Sequence, residues 1–244
     1  MWSLLKKEIN SFLSSLIGYL VISVFLLTVA MFLWVFPDSD FNVLDGGYAN
    51  IDGLFIIAPW VFMFLVPAVT MRSFSEEKKS GTIELLFTRP LSDLQIILSK
   101  YLAGLTLVII ALLPTFIYVF TVYILAQPTG NIDTGGVWGS YIGLVFLASG
   151  FVAIGIFSSS ITDNQIVAFI IGMFLCFLVY LGFSSLAGLS FFGGIDSLLV
   201  NLGISYHYSS MSRGVLDTRD VLYFLSLTAF FILLTKTVLE SRKW

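Results

Sequence analysis

The chain has 244 residues, of which 58% are hydrophobic and only 11% charged, whereas a water-soluble domain carries about 25% charged residues. Its mean hydropathy of +0.98 implies more apolar surface than a soluble fold can hide. A soluble enzyme or binding module is excluded, and the chain reads as an integral all-α membrane protein.

Taken in order, Trp2, Leu5, Ile9, Phe12, Leu13 and Leu16 recur at helical spacing opposite Lys6, Lys7, Asn10 and Ser14. This pattern predicts an amphipathic helix over 1–15 lying in the membrane interface. The apolar run over 16–36 follows two lysines, as the core of a signal peptide would. It is longer than the usual run of about 7–15 residues and no small-residue cleavage site follows, so it reads as a retained first span. About 20 apolar residues cross a bilayer as a helix. On that criterion five more spans follow, over 54–74, 93–126, 137–159, 163–187 and 218–238. Pro59, Pro67 and Pro114 fall inside the second and third, where a membrane bundle tolerates kinks. Gly139, Gly143, Gly150 and Gly155 in the fourth predict close helix packing, with no ligand implied. Ser92 to Gln95 and Thr162 to Gln165 both have capping-box spacing and mark the starts of the third and fifth spans. Between the fifth and sixth spans, over 188–217, Ile195, Leu198, Leu199 and Leu202 repeat at helical spacing. A short helix that re-enters or lies on the outer leaflet is expected there.

The basic residues set the orientation. Ten of the twelve lie at the N-terminus (Lys6, Lys7), between the second and third spans (Arg72, Lys78, Lys79, Arg89, Lys100) or at the C-terminus (Lys236, Arg242, Lys243). The positive-inside rule places all three in the cytoplasm.

Chemistry-bearing motifs are absent. No phosphate-binding loop and no H-E-x-x-H occur, and a single His207 cannot build a histidine metal site. His207 has Ser205, Ser209 and Ser210 as neighbours, the raw material of a Ser–His hydrolase, but it reads as a loop residue between Tyr206 and Tyr208. Cys176 is the only cysteine and reads as a small buried hydrophobe, so neither a disulfide nor a thiolate metal site is available. The spans lack the acids and bases of a proton relay. No catalytic, metal or cofactor-binding residues are expected, and any energy must come from outside the chain.

One stretch breaks this pattern. In "RSFSEEKKSGTIELLFTRP", over 72–90, seven charged residues surround an apolar run. The second span can continue past Arg72 into water, Ser80 and Gly81 break it, and Thr82 to Phe87 form a short helix that Arg89-Pro90 stops. That short helix presents Ile83, Leu86 and Phe87 within a charged rim, the make-up of a small protein interface. A purely solvated loop has no use for Ile83, Leu85, Leu86 and Phe87 together.

The quoted "EEKKSGTIELLFTRPLS" is similar to the E-E-K/R-x-x-G-T-x-E-x-L-x-x-x-P-x-S hallmark of the ABC-2 family of ABC-transporter permeases. The C-terminal stretch over 207–244 is also similar to the gliding-motility permease subunit of that family. The resemblance implies a permease of the bacterial inner membrane that is not itself an enzyme. A partner ABC ATPase subunit would bind the ATP and Mg, and a second permease copy or related permease would complete the assembly. It further implies that the segment over 75–92 couples to the ATPase. Gly81, Thr82, Ile83, Glu84, Leu85, Leu86, Phe87, Thr88 and Arg89 would form the coupling helix, and Glu76, Glu77, Lys78 and Lys79 its rim. Thr162, Asp163 and Asn164 would make a second cytoplasmic contact, and the first, second and fifth spans would line the permease interface. Two functions stay open at this stage: transport or export, with a link to gliding motility, or a non-transporting anchor that transmits force in an ATP-driven envelope machine.

Overall fold

The computed structural model describes residues 1–37, 39–84, 91–188 and 196–241. It is all-helical among those residues, and six helices are long and apolar enough to cross a membrane. Helix α1 (Trp2–Leu13) precedes α2 (Leu16–Ala30), which runs on through a π-helical turn, Met31–Val35. Helices α3 (Asp52–Thr70) and α4 (Arg72–Lys79) form one candidate span with a break at Met71. Helix α5 (Asp93–Leu112) passes through a 3₁₀ turn at Pro114 into α6 (Phe116–Leu125). Helix α7 (Thr134–Ile161) is unbroken. Helix α8 (Gln165–Phe177) continues through a π-helical turn, Leu178–Gly182, into α9 (Phe183–Gly188). Two short helices, α10 (Asp196–Leu202) and α11 (Ile204–Met211), precede α12 (Thr218–Glu240).

Helix α7 is the mast of the bundle. Of its most apolar stretch 78% is buried, against 22% for Leu16–Val35, so α7 sits centrally and α2 at the periphery. It packs on α12, α3, α8 and α5. The glycines make these approaches possible. A Cβ on Gly139 would lie 2.3 Å from the Gly214 carbonyl oxygen, and one on Gly155 would lie 2.0 Å from Thr70 Oγ1. Small residues let helix backbones meet where lipid removes any hydrophobic incentive to associate.

A proline frees a carbonyl in a segment that water does not reach, and at Pro59 a side chain from elsewhere takes it up. Pro59 has no N–H for the carbonyl of Phe55, four residues earlier. The Tyr208 hydroxyl of α11 donates to that carbonyl at 2.7 Å instead. Burial pushes the Tyr208 phenol well above its usual range, so it remains a donor. This bond ties α11 to the start of α3.

Capping follows the sequence at one span and departs from it at another. Ser92 and Gln95 form the reciprocal capping box at α5. The box expected at Thr162 does not form. Asn164 is the N-cap of α8, its side-chain oxygen accepting from the Ile166 N–H at 2.9 Å. Thr162 is extended and ends α7, its hydroxyl accepting from the Asn164 N–H at 3.2 Å. Two long helices need a few non-helical residues to reverse direction, and those residues use up the expected cap position.

Candidate functional site

The charged stretch begins as a rigid continuation of the second span. Where α3 breaks at Met71, the first turn of α4 must find partners for its free N–H groups. Ser159 of α7 supplies them. Its hydroxyl accepts from the N–H groups of Phe74 (2.9 Å) and Ser75 (3.1 Å) and donates to the Met71 carbonyl at 2.9 Å. One buried hydroxyl therefore caps a helix on a different element. Lys78 Nζ donates to the Ser160 carbonyl, a second tie between α4 and the end of α7.

A third tie is ionic. Lys100 of α5 is 2% exposed. Its ammonium lies 2.9 Å from Glu8 Oε1 of α1 and 3.0 Å from Glu77 Oε1 of α4, and 5.1 Å from the Phe74 ring centroid. The cluster joins α1, α4 and α5 at one end of the bundle. It carries two carboxylates for one ammonium, and Glu77 Oε2 is buried without a partner among the described residues. Ser99 adds a hydrogen bond from its hydroxyl to the Met1 carbonyl at 3.4 Å.

Beyond Lys79 the chain turns on Gly81, whose φ of +70° is the left-handed conformation that glycine adopts without strain. Ser80 Oγ lies 2.8 Å from Thr82 Oγ1 across the turn. Ile83 and Glu84 are helical again.

The residues expected to meet a partner thus divide into three groups. Glu76, Lys79, Gly81, Thr82 and Glu84 are exposed. Glu77 and Lys78, expected on the rim, are half-buried and take the internal partners just described. Ile83, expected on the presented apolar face, is buried in the core of the bundle. Leu85, Leu86, Phe87, Thr88 and Arg89 lie outside the described residues, as does Pro90. At the end of α7, Asp163 and Asn164 are exposed and Thr162 half-buried. Because Ser159 and Ser160 hold α4, the two stretches expected to form separate contacts are neighbours.

Sequence reasoning missed Lys100 as a structural centre, counting it only as an inside charge. A signal was available. Ile96, Ile97, Lys100, Tyr101 and Gly104 recur at helical spacing on the buried face of α5, so a lysine in that stripe has to be paired.

His207 also needs correction. It lies on α11 and not in a loop. Its Nδ1 is 2.7 Å from Asp220 Oδ1, its Nε2 is 2.9 Å from the Asn201 carbonyl, and its ring stacks on Tyr223 with centroids 3.9 Å apart. A hydrolase would need Nε2 free to accept a serine proton. Here a carbonyl occupies that position, and the Ser205 hydroxyl pairs with Ser184 at 2.9 Å. The residue clamps α10, α11 and α12 together. Among the described residues no group of three or more His, Cys, Asp or Glu side chains could hold a metal ion.

Residues 35–240 match the family model described as ABC-2 family transporter protein. The chain belongs to the ABC-2 family. A search of curated proteins found no match. Six apolar helices and the family match together make this a multi-pass membrane protein of the permease type.

Proposed function

We propose that the chain is the membrane-spanning subunit of an ABC-2 transporter and that a separate ABC ATPase drives it through the α4 elbow. ABC-2 permeases work with ABC ATPase partners. The observation that carries the reading is the triple bracing of α4. Ser159, Lys78 and the Lys100 cluster tie this short helix to α7, α5 and α1, so a push on the elbow is delivered to the mast and to the N-terminal helix together. Exposed Lys79, Thr82 and Glu84, with neighbouring Asp163 and Asn164, offer polar contacts to the ATPase. In this reading the α1 end faces the cytoplasm of a bacterial cell, with α1 along the inner interface. A second permease, identical or related, packs against the apolar outer faces of α2, α3 and α8. Within the family, the C-terminal similarity makes export linked to gliding motility the process to test first.

The deciding experiment is co-purification from mild detergent. The parent chain should bring an ABC ATPase with it, and Glu84→Lys and Leu86→Lys should each lose it while remaining inserted in the membrane. Undiminished ATPase with both variants would overturn the docking assignment.

A further inference from the structure

Beside the braced elbow lies a crevice of about 190 Å³ between α1, the α3–α4 junction and α5. Its lining is mixed: Ala68, Ala103 and Leu107 supply apolar surface, while Glu8, Ser11, Arg72 and Glu76 supply polar groups. Lys100 also lines it, but its charge is committed to Glu8 and Glu77. Arg72 and Glu76 are different. Both are exposed, they lie one turn apart on α4, and among the described residues neither belongs to an ion pair. The Ser11 hydroxyl has no hydrogen-bond partner within the described residues. The crevice therefore offers a ligand one free guanidinium, one free carboxylate and one hydroxyl beside apolar surface.

We propose that this crevice seats a phospholipid with a phosphoethanolamine headgroup. Guanidinium matches a phosphate in bidentate geometry. A primary ammonium, with three N–H donors, suits the Glu76 carboxylate and the Ser11 hydroxyl. The glycerol and first acyl carbons cover Ala68 and Ala103. A choline headgroup carries the same charges but has no N–H to donate. A glycerol headgroup leaves Glu76 facing a net anion. The charge pattern thus selects a zwitterion, and the donors select a primary amine. The site does not depend on how the ATPase docks, because its walls all belong to this chain.

Native mass spectrometry of the full chain tests this, releasing it from phosphatidylcholine nanodiscs doped with either phosphatidylethanolamine or phosphatidylglycerol. One phosphatidylethanolamine should stay bound per chain. Arg72→Gln and Glu76→Gln should each lower its retention about tenfold, the equivalent of one lost charge-assisted contact. Ala68→Leu, which fills part of the crevice, should do the same. Both polar variants change exposed residues, and a parental melting temperature in detergent confirms that they fold. Equal retention of phosphatidylcholine, preference for phosphatidylglycerol, or retention unaffected by Arg72→Gln and Glu76→Gln would each overturn the proposal.

Discussion

Replacing Lys100 by methionine tests the bracing most directly. Methionine keeps most of the apolar stem and removes only the ammonium. In the parent that ammonium sits 2.9 Å and 3.0 Å from two carboxylate oxygens, with a lysine side chain 1% exposed and glutamates 22% and 14% exposed. Breaking a buried ionic cluster by removing one partner costs about 3–5 kcal/mol, because the remaining charge is left desolvated. Glu77 bears most of that cost, since its second oxygen is already unpartnered and its side chain is the less exposed of the two. For a chain of this size about 1 kcal/mol corresponds to roughly 2–4 °C, so K100M should lower the melting temperature in detergent by roughly 6–20 °C. The origin of the loss can be checked by compensation. Adding Glu77→Gln to K100M should recover more than adding Glu8→Gln. Replacing all three by methionine should bring the melting temperature near the parent, as apolar replacement of whole buried ionic clusters does. The reasoning fails if K100M melts within about 2 °C of the parent, which is under 1 kcal/mol, or if the two glutamine substitutions deepen the loss.

Other consequences are as direct. Tyr208→Phe strands the Phe55 carbonyl that Pro59 cannot satisfy, at a cost of about 1–3 kcal/mol in denaturant unfolding. Because burial raises the phenol above its unfolded value, that contribution is fully present below about pH 10 and is lost as pH rises through the folded value. Gly139→Ala places a methyl against the backbone of Gly214 and should cost about 1–3 kcal/mol, whereas Gly188→Ala, which meets no atom of the described residues within 4 Å, should leave the melting temperature unchanged. Cysteines introduced at exposed Lys79 and Asp45 should react with a membrane-impermeant maleimide from opposite sides of the membrane, and buried Cys176 should give no background. Labelling of both from one side would refute the orientation.

The number and kind of spans were legible in the sequence, because an apolar run of membrane-spanning length must satisfy its own backbone and so becomes a helix whatever surrounds it. The turn at Gly81 and the cap at Ser92 were legible for the same reason: each depends on residues a few positions apart. Tertiary structure alone decided which polar residues face inward. Thr162 lost its expected cap to Asn164 because the reversal between α7 and α8 claimed that position. Ile83 packs into the bundle, and Lys100 binds Glu8 and Glu77 from 92 and 23 residues away. Ser159 reaches the broken turn of α4 across more than 80 residues. A charge or hydroxyl in this chain has the same side chain whether it meets water, a partner or its own bundle. Its role is set by which distant backbone comes within about 3 Å, and the packing of α7 determines that.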